Sequence, residues 1–252
     1  MSTDFRMVFD ARDELRASAR ECEAEVFLRA FGNTRAQLDE EYGPYEDSSV
    51  FLVLADQADT VHAMVRLIAP GGTAGLKTLV DIGAPPWDAD GERSASAVGI
   101  DLASTWEVAT LGVRRGSAAH GTRLSLALYH GLLTGARVNA ASSFVAILDD
   151  RVRHLLGSVG ILTRALPGTS SAPYLGSGSS TPVYAHFAPL VENQRKHYPE
   201  AYRLVTLGIG LDGVAVPAPD EFRVRPGAGH ADHAAVDGRE WSDLTIGPVP
   251  VA

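Results

Sequence analysis

The stretch Thr105–Gly116, TWEVATLGVRRG, limits the fold more than any other part of the chain. Trp106, Val108, Ala109, Leu111 and Val113, with Gly112 as a spacer, suit a pleated, half-buried strand. One carboxylate, Glu107, sits in their midst, and the strand stops abruptly at Arg114-Arg115-Gly116. The next periodic segment, Thr122–Val138, carries Leu124, Leu126, Leu128, Leu132 and Leu133 at helical spacings, with Gly131 and Gly135 as small interruptions. Ser142–Leu148 then predicts another strand. A strand that feeds a helix and returns as a strand defines an α/β chain.

Upstream, residues 11–31 predict an amphipathic helix closed by Gly32-Asn33. An acidic segment follows from Leu38 to Ser49, with a turn at Gly43-Pro44. Val50–Ala55 and Val61–Ile68 predict strands, and the short polar DQADT between them predicts an antiparallel hairpin. Leu76–Ile82 reads as a short helix or turn, and Pro85–Gly99 as irregular. Downstream, Asp149–Gly157 predicts a helix capped by Asp149 or Asp150, and Ile161–Ala165 a short strand. Pro167–Thr181, dominated by Gly, Ser and Pro, is too long for a tight turn and is a candidate functional loop. Pro182–Phe187 resumes a strand, and Pro189–Leu207 is helical in part. Residues 1–207 are expected to form one domain and 208–252 a Gly/Pro-rich C-terminal arm. The order helix, hairpin, strand, helix, strand, helix, strand, strand predicts a mixed sheet, not a doubly wound one. No G-x-G-x-x-G follows any strand.

Composition narrows the function classes. The 252 residues suffice for one large domain. No apolar run approaches the ~20 residues of a membrane span, and the first residues lack the apolar core of a signal peptide. A net charge of −9 argues against a general nucleic-acid binder. Cys22 is the only cysteine, which excludes an intramolecular disulfide and fits a reducing compartment; a cytoplasmic location is expected.

A strand that ends in small and basic residues before a helix offers backbone N–H groups and partial positive charge to an anion. Arg114, Arg115, Gly116, Gly121 and Arg123 are placed for this; a solvated turn is the alternative reading. The arrangement resembles the GNAT superfamily of acyl-CoA N-acyltransferases, although R-R-G-S-A-A-H-G has the ingredients of the pyrophosphate loop at a different spacing. A narrower resemblance is to the acyl-homoserine-lactone synthases and N-acyl amino acid synthases. EVFLRAF (Glu25–Phe31), DEEYGPYEDSSVFLVLAD (Asp39–Asp56), VHAMVRLI (Val61–Ile68), TWEVATLGV (Thr105–Val113), LSLALYHGLLTGAR and ILDDRVRHLLGSVGI (Ile147–Ile161) are similar to family segments in that order, over about residues 20–187. Where the synthases carry the arginine of "E-L-S-R", this chain has Thr110, so its amine differs from the usual one.

The resemblance implies a GNAT-like α/β fold with a mixed, mostly antiparallel central sheet flanked by helices. It implies an N-acyltransferase with acyl-CoA or acyl-phosphopantetheine on a carrier protein as co-substrate, no permanently bound cofactor, and a small amine or amino acid as acceptor. Leu111 and Val113 would face the thioester, and Arg114, Arg115, Gly121 and Arg123 its phosphates. Asp47, Arg66 and Trp106 would contact the substrate. N-acylation needs a neutral amine, a held thioester carbonyl and help for the oxyanion. Glu107 is the candidate base, since a carboxylate on a buried strand has a raised pKa or a partner. It equally fits the solvent face of an edge strand, or a structural pair with Arg66. Arg66, on an apolar strand, requires a partner, and Glu107 and Asp47 are the options. Glu46 and Asp47 are candidate counter-charges for the amine. A backbone N–H near Thr110–Gly112 is the candidate oxyanion donor. Tyr174 is a candidate donor to the leaving thiolate, or part of a lid.

Arg114, Arg115, Arg123, Arg151 and Arg153 would form the basic patch that an acidic carrier protein needs. His230, Asp232 and His233 lie together in the C-terminal arm, but three ligands within four residues of a tail make a poor rigid cage, and no metal is expected. Cys22 reads as a small buried hydrophobe. The competing class is a non-catalytic module that holds an acyl ligand as a sensor.

Overall fold

Ser49–Ala55 is buried at every residue and Val61–Ile68 at all but His62, which only central strands covered on both faces achieve. The computed structural model describes residues 4–115 and 121–224. In chain order the first half comprises β1 (Phe5–Val8), α1 (Asp13–Phe31), α2 (Arg35–Tyr42), β2 (Ser49–Ala55), β3 (Val61–Ile68), α3 (Lys77–Asp81), α4 (Gly91–Ser96) and β4 (Thr105–Val113). The second half comprises α5 (Gly121–Val138), β5 (Ser143–Asp149), α6 (Asp150–Ser158), β6 (Arg164–Ala165), β7 (Ala172–Tyr174), β8 (Ser177–His186), α7 (Phe187–His197) and β9 (Val214–Ala215). The strands form one sheet in the order β6-β8-β5-β4-β3-β2-β1-β9, with β7 paired to β8. Two pairs are parallel, β4 with β5 and β1 with β9; the others are antiparallel.

Helix α5 covers one face of the sheet, where Leu124, Leu128 and Leu133 pack among Leu52, Leu54 and Val65. Its glycines are contact points, not weak spots. A Cβ on Gly131 would stand 2.8 Å from Leu52 and Met7, and one on Gly135 would stand 2.4 Å from Phe9. Helices α1 and α3 cover the other face. Helix α1 ends where expected, at Gly32 in the left-handed region (φ 78°), whose N–H caps the Leu28 carbonyl.

Several elements differ from the sequence expectation. The acidic segment Leu38–Ser49 begins inside a helix absent from the sequence expectation, α2, nucleated by a Thr34–Gln37 capping box and anchored by Leu38 and Tyr42 one turn apart, and the expected turn follows it. Gly43-Pro44 starts a 3₁₀ turn directly after it. Part of the "irregular" Pro85–Gly99 is α4, capped by the Asp90 carboxylate. The Gly/Ser/Pro loop is largely the β7–β8 hairpin. Three of its hydroxyls converge on one carboxylate: Ser171, Ser179 and Thr181 donate to Asp150 at 2.6, 2.5 and 2.7 Å. The fold also continues past residue 207, since β9 extends the sheet beside β1 and Phe222 is fully buried 5.5 Å from the Phe9 ring.

Candidate active site

Strands β4 and β5 pair only from Thr105–Glu107 to Ser143–Val145 and then diverge. Just there, β4 carries a bulge: Leu67 faces Val108 and Arg66 faces Thr110, leaving Ala109 unopposed. The Arg114 N–H donates to His62 O at 2.8 Å. By alternation Gly112 and Thr110 therefore also face β3, and the Leu111 N–H points into the gap between β4 and β5.

Two cavities meet at this gap. One, of about 90 Å³, opens between α1 and the β7–β8 hairpin and has aromatic walls: Phe27, Phe31, Tyr42 and Tyr174. The other, of about 40 Å³, lies on the α5 side and presents no polar surface. Val108, Leu111, Leu148 and Val152 line both.

Glu107 is buried beside the first cavity, yet not in its wall. Its Oε2 accepts from the Thr78 N–H at 2.9 Å and its Oε1 from the Thr78 hydroxyl at 3.0 Å. Burial pushes the carboxyl up to about 7 against these bonds, and the nearby Asp81 adds to the rise. Beside it, Lys77 Nζ sits 2.7 Å from both Glu41 and Asp81. Burial alone would lower the lysine, but the two carboxylates raise it. The Tyr174 hydroxyl donates to Asp81, and burial together with that carboxylate raises its pKa, so it stays protonated.

The sequence expectation for Arg66 is corrected: neither Glu107 nor Asp47 is its partner. Glu23 of α1 takes Nε and Nη2 at 3.0 and 2.6 Å, and Glu46 takes Nη1 at 3.1 Å. Glu107 points along the same face toward α3, while Glu23 comes down from α1. The Thr110 hydroxyl also donates to Glu23, at 2.5 Å. Both Arg66 and Lys77 stand over the Tyr42 ring, 4.8 and 5.6 Å from its centroid. Glu46 is held below its ordinary pKa: burial opposes this, but Arg16, Arg66 and Arg20 outweigh it.

The remaining expected residues are spread more widely. Asp47 is exposed, with the Thr73 hydroxyl 3.5 Å away. Trp106 lies on the α5 face near Phe9, away from Glu107. Val113 packs against the main core. Arg114 Nε stands 2.9 Å from Glu25 as a charge contact without hydrogen-bond alignment. Arg115 is exposed, Gly121 opens α5, and Arg123 is 3.7 Å from Asp4. Residues 116–120 of the expected phosphate loop, and His230, Asp232 and His233, lie outside the described residues. In the expected docking patch, Arg151 is bonded to Asp149 and Arg153 to Thr163. Cys22 is buried, and that burial raises its thiol to about 12. Among the described residues no helix is long and apolar enough to cross a membrane.

The sheet, with its bulged and splayed β4 feeding α5, is a GNAT-like mixed α/β fold. Among solved structures it is similar to the CoA-dependent acyl-homoserine lactone synthase BjaI in complex with SAM and isopentyl-CoA. The likeness covers 87% of this chain and 96% of that one, at a TM-score of 0.52 and 13% identity. The chain shares the fold of these acyltransferases. TofI with an inhibitor and MTA also matches, at 0.48 and 12% identity over 75% of this chain and 96% of its own. So does GCN5 of Tetrahymena, at 0.43 and 10% over 72% and 95%. No family model and no curated protein matches the chain.

Proposed function

We propose that the chain is an N-acyltransferase that moves an acyl group from acyl-CoA, or from acyl-phosphopantetheine on a carrier protein, to a small amine. The observation that carries this reading is the meeting of two cavities at the β4/β5 gap beside the inward Leu111 N–H. An apolar acyl tail suits the cavity behind α5, and an amine suits the aromatic one. The thioester carbonyl then lies at the gap, where the Leu111 N–H supports the oxyanion. The amine nitrogen attacks the carbonyl carbon, the C–N bond forms and the C–S bond breaks. Glu107, poised near neutrality, takes the amine's proton through an intervening hydroxyl or water, because it does not itself line the cavity. Tyr174, protonated and in the cavity wall, would turn its hydroxyl from Asp81 to hydrogen-bond the departing thiolate, which leaves as the thiol with the proton that Glu107 has taken up. Arg66 and Thr110 act on the site indirectly, by fixing Glu23 and the bulge.

One observation favours the sensor reading: both Glu107 oxygens are already engaged by Thr78. Thermal melting with free CoA and a graded acyl-CoA series tests the shared premise. A ligand at 100 times its Kd adds roughly 2.7 kcal/mol of stability. Stabilisation that grows with acyl length is expected; none at any length contradicts acyl-CoA as the donor. Turnover then separates enzyme from sensor.

A further inference from the structure

Helix α3 reaches the base and the cavity wall at once. Its Thr78 engages both Glu107 oxygens, while Lys77 and Asp81, four residues apart, pair with each other. A single oxygen, Asp81 Oδ2, accepts from Lys77 at 2.7 Å and also from the Tyr174 hydroxyl. Tyr174 lines the aromatic cavity, and its ring rests against Trp87 with centroids 5.6 Å apart. Trp87 is fixed in turn by donating to the Ser170 carbonyl at 2.7 Å. This arrangement suits a hydroxyl that has to turn. With the ring held by Trp87, the hydrogen can swing toward a departing thiolate while the oxygen stays. Asp81 then loses one donor but keeps Lys77, so no bare carboxylate is left in a largely buried place. Lys77 has Glu41 as its second partner. The titratable groups facing Glu107 are Asp81 and Lys77 of α3, Tyr42 of α2, Tyr45 of the turn after it, and Tyr174 of the hairpin. Burial raises all three tyrosines and keeps them neutral, so Asp81 and Lys77 are the charges among them.

We infer that Asp81, held by Lys77, is a positioning residue for the transfer: it keeps the Tyr174 hydroxyl at the cavity wall and couples it, through its charge, to Glu107. This deepens the acyltransferase reading and rests on it for the transfer step, but the coupling of Asp81 to Glu107 is read without turnover.

The test compares Asp81→Asn with Glu41→Gln in the full chain. Each removes one of the two carboxylates on Lys77, but only Asp81 touches Tyr174. Urea unfolding across the neutral range, with and without Glu107→Gln in each protein, gives the pH at which the Glu107 stability difference levels off. That pH should fall by about half a unit in Asp81→Asn, because a like charge beside the buried carboxyl is gone. It should not move in Glu41→Gln. The second readout is thiol released from acyl-CoA, with phenethylamine as the first acceptor. Here Asp81→Asn should lower kcat about 10-fold, since a neutral amide holds the hydroxyl more weakly, and should spare acyl-CoA affinity. The acid limb of its pH profile should move to lower pH, and Glu41→Gln should show none of these changes. Tyr174→Phe should remove most of the same kcat, so that the double variant loses less than the product of the two single losses. Equal effects of Asp81→Asn and Glu41→Gln, an unmoved levelling pH, or full additivity with Tyr174→Phe would overturn the inference. If the wild type and the variants bind acyl-CoA but form no N-acyl product, the acyltransferase reading fails, and the levelling pH alone decides whether Asp81 acts on Glu107.

Discussion

Glu107→Gln is expected to make the protein more stable and to abolish its turnover. In the folded chain the carboxyl is pushed from an ordinary 4.5 to about 7, chiefly by burial. The raised value means that the folded state prefers the protonated carboxyl. Above pH 4.5 the unfolded chain ionises first, so stability falls as pH rises and levels off once the folded group ionises near 7. With those two values, this one group costs the wild type about 2.5 kcal/mol more at pH 8 than at pH 5. Gln is isosteric and can be satisfied in place: its oxygen accepts from the Thr78 N–H, and its amide donates to a rotated Thr78 hydroxyl. Urea unfolding of both proteins at pH 5, 6, 7 and 8 isolates the effect, because every other titrating group cancels in the difference. The stability gap should widen with pH in favour of Gln. A gap that stays flat, or a variant less stable throughout, refutes the burial argument. In the same preparation, acyl-CoA binding should persist and acyl transfer should be lost.

Gly135→Ala should destabilise despite the roughly 1 kcal/mol gain in helix propensity, because its Cβ meets the Phe9 ring at 2.4 Å; a lower urea midpoint is the readout. Glu23→Gln leaves the buried Arg66 guanidinium with Glu46 as its remaining carboxylate and should destabilise by less than the ~3–5 kcal/mol of a fully unpaired buried charge, measured the same way. Phe222→Ala should cost about 3–5 kcal/mol, because the ring is fully buried against the core; no loss would make the segment after residue 207 an appendage. Reversing Arg151 and Arg153 to Glu should raise KM for a carrier-borne donor and leave a free pantetheine thioester untouched. Equal loss with both donors removes the docking idea.

The order of elements was legible because apolar strands and a leucine-rich helix announce themselves by period. Strand β1 was missed because FRMV is too short to show one, and α2 because only Leu38 and Tyr42 of its eight residues are buried. The splay and bulge of β4 leave no local signature, since they follow from how β5 is placed. In the site, Glu107 stood out as a carboxylate among apolar neighbours, but its partner Thr78 lies in a segment without pattern. Glu23 had a readable signal: it lies in the apolar stripe of buried Ala19 and Cys22 and half-buried Val26 on α1, and a carboxylate there needs a cation. Lys77 carried another, being one of only two lysines in the chain. Asp149 and Asp150 were the two candidate caps of this helix, and Asp149 is the cap, accepting from the Arg151 N–H at 2.9 Å; its place in the cavity wall depends on the β8 pairing, which no window of sequence displays.

The central claim is amine-dependent cleavage of an acyl thioester at the β4/β5 gap. It is tested by following free thiol released from an acyl-CoA of the best-stabilising length, with and without phenethylamine, and weighing the amine product by mass spectrometry. The account predicts thiol release that requires the amine, equals the N-acyl product mole for mole, and rises with pH through about 7 as Glu107 ionises. An acyl-CoA that binds tightly but yields neither thiol nor N-acyl product with any amine would contradict it and leave a protein that binds acyl thioesters without turning them over.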